Sequence, residues 1–169
     1  MQAGGELAVK LVIAGAGEVG RYLAGRLSAQ GHDIVLIDQN SAALATAEES
    51  LDVQVLFGDS AWRSVLRRAE VPGSDGIIAV TGSDDANMLA AALGRSMGAK
   101  VAVARVDNPG FYDLPGGAEH DVLGVDHLLC STRLTCADLL LQMIRARAAV
   151  VHAFAAGTVQ VALWRVGRG

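Results

Sequence analysis

Leu11-Val12-Ile13-Ala14-Gly15-Ala16-Gly17-Glu18-Val19-Gly20 passes from an uninterrupted apolar run into a G-x-G-x-x-G spacing, and this stretch decides the fold. The run predicts a strand over residues 8–14 that enters the glycines directly. After them, Val19, Leu23 and Leu27 recur at i, i+4 and i+8, which predicts a helix over 18–30 with one apolar stripe to lay on a sheet. Gly31 then stands where a helix-terminating glycine belongs. The next apolar run, Ile34-Val35-Leu36-Ile37, ends at Asp38, 18 residues beyond Gly20 and close to the spacing expected of a dinucleotide fingerprint.

Each part of that fingerprint has a physical task. Gly15 permits the tight turn out of the strand, Gly17 lets a pyrophosphate approach the main chain, and Gly20 lets the helix pack closely. Ala16, Glu18 and Val19 complete the turn. The helix N-terminus offers unpaired N–H groups and a positive dipole end to the phosphates. Asp38 can accept hydrogen bonds from both hydroxyls of an adenosine ribose, and its charge disfavours the 2′-phosphate of NADP. The same residues also fit a ligand-free strand-turn-helix in which Asp38 caps the turn before Asn40.

Working outward, further strands are expected over 33–37, 53–57, 76–80, 100–106 and 125–129. Ile34 to Ile37 and Gly76-Ile77-Ile78-Ala79-Val80 are apolar without alternation, as in a sheet covered on both faces. Helices are expected over 41–50 after the N-cap residue Asn40, over 62–69, and over 84–97 between Ser83 and Gly98. Strands alternating with helices at this spacing predict an α/β fold, a Rossmann-type doubly wound parallel sheet of six strands. Residues 108–124 break the pattern, because Pro109, Pro115, Gly116 and Gly117 interrupt any helix there. A helix over 132–147 follows. Alternation around Ala156-Gly157 then predicts a C-terminal β-hairpin. The expected organisation is a nucleotide-binding domain over 8–148 and the hairpin over 149–169.

Composition narrows the function classes. Hydrophobic residues make up 51% and charged residues 19% of the 169, which supplies a core and excludes disorder. A net charge of −4 with scattered basic residues argues against a nucleic-acid partner. No apolar run approaches the roughly 18 residues of a membrane span, and Met1 to Lys10 lacks a signal-peptide layout. A soluble, cytoplasmic protein is expected. Cys130 and Cys136 have no metal-ligand spacing, and neither a metal site nor a catalytic residue is expected.

Ligands in open α/β sheets sit beyond the carboxyl ends of the strands. Those ends carry Gly15, Asp38, Gly58-Asp59, Thr81-Gly82 and Arg105. Asp59 is placed for the adenine, Thr81 for the ribose or phosphate side, and Arg105 for phosphate charge. Each of the three also fits a helix cap or a solvated strand end.

At these residues the chain resembles a known family. Val12 to Arg21, Gly31-His32-Asp33, Ile37-Asp38, Leu51-Asp52-Val53 and Gly58-Asp59 are similar to the TrkA N-terminal family, the RCK or KTN domains that regulate potassium channels and transporters. The likeness is densest at Ala79-Val80-Thr81-Gly82-Ser83-Asp84-Asp85-Ala86-Asn87. It continues through Ala104-Arg105-Val106-Asp107-Asn108-Pro109 and Gly124-Val125-Asp126-His127-Leu128. The segment 110–123 departs from it, being richer in Pro and Gly than the family's helix, which bears on any contact by Glu119.

The resemblance implies a sensor that binds NAD or NADH, or ADP or ATP, and passes a conformational change to a membrane-embedded potassium transporter or channel subunit. It would sit in the cytoplasm, peripheral to the inner membrane through that partner. The resemblance also implies that 149–169 opens a second lobe. The competing class is an NAD-dependent oxidoreductase. Tyr22 and Tyr112 lack a Lys four residues on, and His32, His120, His127 and His152 stand singly, so no proton-transfer group is evident. Thr132 to Arg147 is apolar on nearly every side, with Leu134, Leu139, Leu140, Leu141, Met143 and Ile144. That excess predicts a homo-oligomer, a dimer or a ring; burial under the hairpin is the alternative.

Overall fold

A computed structural model of the chain describes residues 8–112, 123–145, 150–154 and 159–163. The chain divides into two compact units, Met1–Cys130 and Ser131–Gly169. In the first, the order is β1 (Lys10–Ala14), α1 (Glu18–Ser28), β2 (Asp33–Asp38), α2 (Ser41–Ser50), β3 (Gln54–Phe57) and α3 (Arg63–Arg68). It continues through β4 (Gly76–Ala79), α4 (Asp84–Met97), β5 (Ala102–Val106), a 3-10 turn (Pro109–Tyr112) and β6 (His127–Cys130). The six strands form one parallel sheet in the order β3-β2-β1-β4-β5-β6. This is the doubly wound α/β arrangement, with each strand within two residues of its expected bounds.

Both faces of the sheet are covered, which is why the central runs show no alternation. Val12, Ala14, Val35, Ile37, Ile77 and Ala79 pack with Val65 and Leu66 of α3 and Met88, Ala90 and Ala91 of α4. Ile13, Ile34 and Leu36 point the other way, onto Ala24 of α1 and Leu44 and Ala47 of α2. Burying one such Ile or Leu contributes roughly 1.5–3 kcal/mol. The core is therefore split by the sheet into two layers, the larger on the α3 and α4 side.

Two helices, α2 and α4, begin or end at the residues named for them, whereas α1 stops at the C-cap Ala29, two residues before Gly31, which follows at φ 85. Asn40 Oδ1 accepts from the N–H groups of Ala42 and Ala43 at 3.0 and 3.2 Å. Ser83 Oγ accepts from Ala86 N–H at 3.3 Å, and Gly98 closes α4 at φ 110. One expectation is corrected. Val19 does not belong to the buried stripe of α1: it is 40% exposed, while Gly20 and Ala24 are buried. Leu23 and Leu27 do pack on the core. The contact line thus runs 20, 23, 24, 27, because the missing side chain at Gly20 brings that point of the helix inward and turns Val19 out.

At the strands' N-terminal ends, Lys10 pairs with Glu70, and Asp75 accepts from Lys100 Nζ at 2.6 Å and Lys10 N–H at 2.8 Å. These donors hold both carboxyls below the usual range.

The second unit contains α5 (Ser131–Arg145) and an antiparallel hairpin of β6's successors, β7 (Val150–Phe154) and β8 (Val159–Leu163). On α5, Leu134, Leu139 and Leu140 are exposed at 56, 55 and 60%. Pro115, Gly116, Gly117, Glu119, His120, Arg147 and the Ala156-Gly157 turn lie outside the described residues. Among the described residues, no helix is long and apolar enough to cross a membrane.

Candidate functional site

The strand order reverses between β1 and β4, since the chain runs from β1 out to β3 and then crosses back. A crevice opens at the carboxyl ends of two such strands, where their following helices diverge to opposite faces. Gly15 and Thr81 stand at those two ends. A Cβ on Gly15 would lie 2.9 Å from Thr81 N, and Gly15 itself is at φ +111, so both the turn and the approach require glycine. Gly20 is as tightly placed: its Cβ would fall 1.7 Å from the carbonyl oxygen of Gly15. At Gly17, by contrast, a Cβ would meet nothing within 4 Å. Two glycines close the bend and the third leaves space above it.

α1 begins at this bend with Gly17 as N-cap and no side-chain cap hydrogen bond. α2 and α4 are capped by Asn40 and Ser83. The first-turn N–H groups of Glu18 and Val19 have no carbonyl four residues back to bond within the helix. Positive partial charge collects there.

Asp38 faces the bend from β2. Its Oδ2 accepts from Ala16 N–H at 2.6 Å and its Oδ1 from Asn40 N–H at 2.7 Å. It therefore performs the turn-capping role and also pins the glycine loop. An ionised carboxylate has about four acceptor positions, so two remain for sugar hydroxyls. Arg21 Nη1 donates to Ala16 O at 2.6 Å, bracing the same loop from behind rather than standing free in solvent.

Six of the expected residues, Gly15, Gly17, Asp38, Gly58, Thr81 and Gly82, line a single cavity of about 220 Å³. Ile37, Gln39, Ser60 and Val80 complete its wall. The other expected residues stand around it. Ala16 is fully buried beneath the bend, and Glu18, Val19 and Gly20 form the first turn of α1. Asp59 lines an adjoining groove, and its Oδ1 accepts from Ala61 N–H at 2.8 Å. Arg105 lies behind Thr81: Nη2 donates to Thr81 O at 3.2 Å and approaches Asp107 Oδ2 at 3.3 Å.

The residue that sequence reasoning passed over is Asn87, which is fully buried. Its Oδ1 accepts from Thr81 N–H and Thr81 Oγ1, each at 2.7 Å, and its Nδ2 donates to Thr81 O at 3.1 Å and Arg105 O at 2.9 Å. One side-chain amide thus locks the ends of β4 and β5 together. Asp84 adds a second tie by accepting from Asp107 and Asn108 N–H, both at 2.9 Å. The available signal was position: Asn87 lies four residues past the N-cap Ser83, on the first turn of α4 that faces the sheet end. A larger hollow of about 530 Å³ lies near Arg95 and Asp126, at the opposite end of the sheet. It is lined by the last turns of α4 and the Leu123–Asp126 turn, not by a helix start.

A family model matches most of the chain. The model of the TrkA-N domain covers residues 11–130. The chain belongs to the TrkA-N domain family. Among curated relatives, the Trk system potassium uptake protein TrkA homolog of Archaeoglobus fulgidus is 38% identical over 162 residues. That match covers 95% of this chain and 36% of the relative, so the chain spans about a third of that protein's length. Among solved structures, the TrkA-N domain of inner membrane protein ybaL from Escherichia coli superposes with a TM-score of 0.70 at 16% identity, over 82% of this chain and 98% of that one. The GsuK channel bound to NAD gives 0.65 at 20% identity, over 91% of this chain and 27% of that one. The Shewanella denitrificans Kef CTD in AMP bound form gives 0.63 at 20% identity, over 81% and 80%. At these identities the structures share the TrkA-N fold with this chain.

Proposed function

We propose that this TrkA-N domain is a nucleotide sensor rather than an enzyme. It binds an adenine nucleotide, NAD(H) or ADP/ATP, in the 220 Å³ cavity and thereby regulates a potassium transporter or channel. The observation that carries this reading is the open space over Gly17 beside the uncapped start of α1, with the Asp38 carboxylate facing it. The phosphates would lie on the N–H groups of Glu18 and Val19, and the ribose on Asp38 with Gly15 beneath. Gly58 and Asp59 would flank the base, and Thr81, Gly82 and Arg105 the far side of the cleft. The names of the relatives support the same direction: one is a potassium uptake protein, and two fold neighbours carry NAD and AMP.

Regulation follows if the nucleotide contacts two arrangements of paired domains differently. The exposed leucines of α5 favour such pairing, as a homodimer or ring, with the domain held in the cytoplasm against a membrane-embedded partner. We keep residues 8–148 as the sensing domain and 149–169 as the opening of a second lobe. The test is calorimetry with ADP, ATP, NAD, NADH and NADP, alongside an NADH-oxidation assay over a panel of small carbonyl compounds. Binding of at least one of the first four without turnover is expected. Sustained NADH oxidation would replace the sensor with an oxidoreductase, and no binding by any of them would remove the reading altogether.

A further inference from the structure

Beyond Gly58 the cavity continues into a second groove of about 380 Å³, of whose lining the site described so far uses only Gln39, Gly58 and Asp59. Its walls are Phe57, Trp62, Val65 and Arg68, and Gln39 and Gly58 line both spaces. Aromatic residues are only 4% of this chain, yet Phe57 and Trp62 stand here 60 and 63% exposed. Two large aromatics left open on one concave surface mark a place where a ligand supplies the missing contact.

Direction identifies the ligand. Asp38 and Phe57 are paired across β2 and β3, and Gly58 N–H donates to Asp38 O at 3.0 Å. Neighbouring strands run about 4.8 Å apart, so a ribose held by Asp38 lies within one glycosidic bond of this groove. Its phosphates leave toward Gly17; its base must leave the other way, past Gly58, against which Val65 packs where a Cβ would lie. A guanidinium such as that of Arg68 also packs face-on against a π system.

Resting on the nucleotide reading, we propose that Trp62 and Phe57 are the base-stacking residues of this site, with Arg68 beside them, and that the purine contributes much of the affinity. Trp62 is the N-cap residue of α3 through its main chain, with no side-chain cap bond.

The test uses the full chain with ADP and AMP as probes. Trp62→Ala is expected to weaken both by the same factor, roughly five- to a hundredfold, as stacking on one base supplies. Phe57→Ala should weaken both in the same way, while Trp62→Phe stays within about threefold because it keeps a π face. In a Trp164→Phe background Trp62 is the sole indole of the chain, which holds two tryptophans, and ADP should alter its emission. ADP binding to the unaltered protein with both alanine variants within twofold of it overturns the stacking proposal and leaves the nucleotide reading intact. A loss confined to ADP would put Trp62 at the phosphates and also overturn it. Absence of ADP and AMP binding to the unaltered protein overturns both.

Discussion

Gly17→Ala and Gly20→Ala place the same methyl group three residues apart in one bend, and the structure assigns them opposite consequences. At Gly17 the added Cβ meets nothing within 4 Å, and the backbone at φ −67, ψ −170 is one any L residue adopts. Two small effects oppose each other there. Ala reduces the freedom of the unfolded chain, worth about 0.4–1 kcal/mol, but is a poorer N-cap residue than Gly by a similar amount. Stability should therefore change by less than about 1 kcal/mol, a melting shift of no more than roughly 4 °C for a chain of this size. At Gly20 the Cβ would sit 1.7 Å from Gly15 O, where contacts under 3.0 Å do not occur. The helix or the bend must then move by more than an ångström, in a packed setting where overfilling costs about 1–3 kcal/mol and at times more. On the proposed binding mode ADP affinity should fall in both variants, at least tenfold in Gly17→Ala, because the methyl would take the space a phosphate needs and separate it from the N–H groups of α1. Thermal unfolding by circular dichroism and calorimetry with ADP read the two effects separately. If Gly17→Ala binds ADP as the unaltered protein does, or if Gly20→Ala keeps its melting temperature, the assignment of the bend is wrong.

Three further outcomes follow from named contacts. Asn87→Ala leaves Thr81 N–H without its acceptor and Arg105 O without the amide donor, while Thr81 O keeps Arg105 Nη2, and should cost about 2–4 kcal/mol in urea denaturation; a loss below 1 kcal/mol would mean that water replaces the amide. Asp38→Asn keeps one acceptor where two now serve Ala16 and Asn40, so it should weaken NAD and ADP by tenfold or more while narrowing their advantage over NADP, measured by competitive titration. Asp75 is held below its ordinary range by Lys100 and Lys10 N–H, so its contribution to stability is complete above the unfolded pKa near 4 and disappears as pH falls through the lower folded value. Asp75→Asn should therefore flatten the acid limb of a stability–pH curve below about pH 4 and lower the plateau above it; identical acid limbs would count against the bridge.

The fold was legible because parallel, doubly covered strands show as short unbroken apolar runs, such as Ile34 to Ile37 and Gly76 to Val80, between helical stretches. The bend was legible because its glycines stand at a fixed spacing inside that frame. Other parts were obscured by three-dimensional causes. Val19 reads as a core residue by period, yet a side-chain-free neighbour turned it outward. Asn87 reads as one polar residue of a helix start, and only the nearness of two strand ends makes it a four-bond clamp. Phe57 and Trp62 read as ordinary apolar residues until their exposure beside Gly58 is seen.

Local order along the chain was sufficient for the layered architecture and for a glycine-lined helix start opposite a carboxylate, because propensity, periodicity and turn chemistry act between residues near in sequence. Which side chains converge at the β1–β4 crevice depended on folding, since Gly15, Asp38, Thr81 and Asn87 are brought together only when non-neighbouring strands pair. Their hydrogen bonds join positions as far apart as Thr81 and Arg105, 24 residues, and the Thr81–Asn87–Arg105 ties follow from no spacing along the chain.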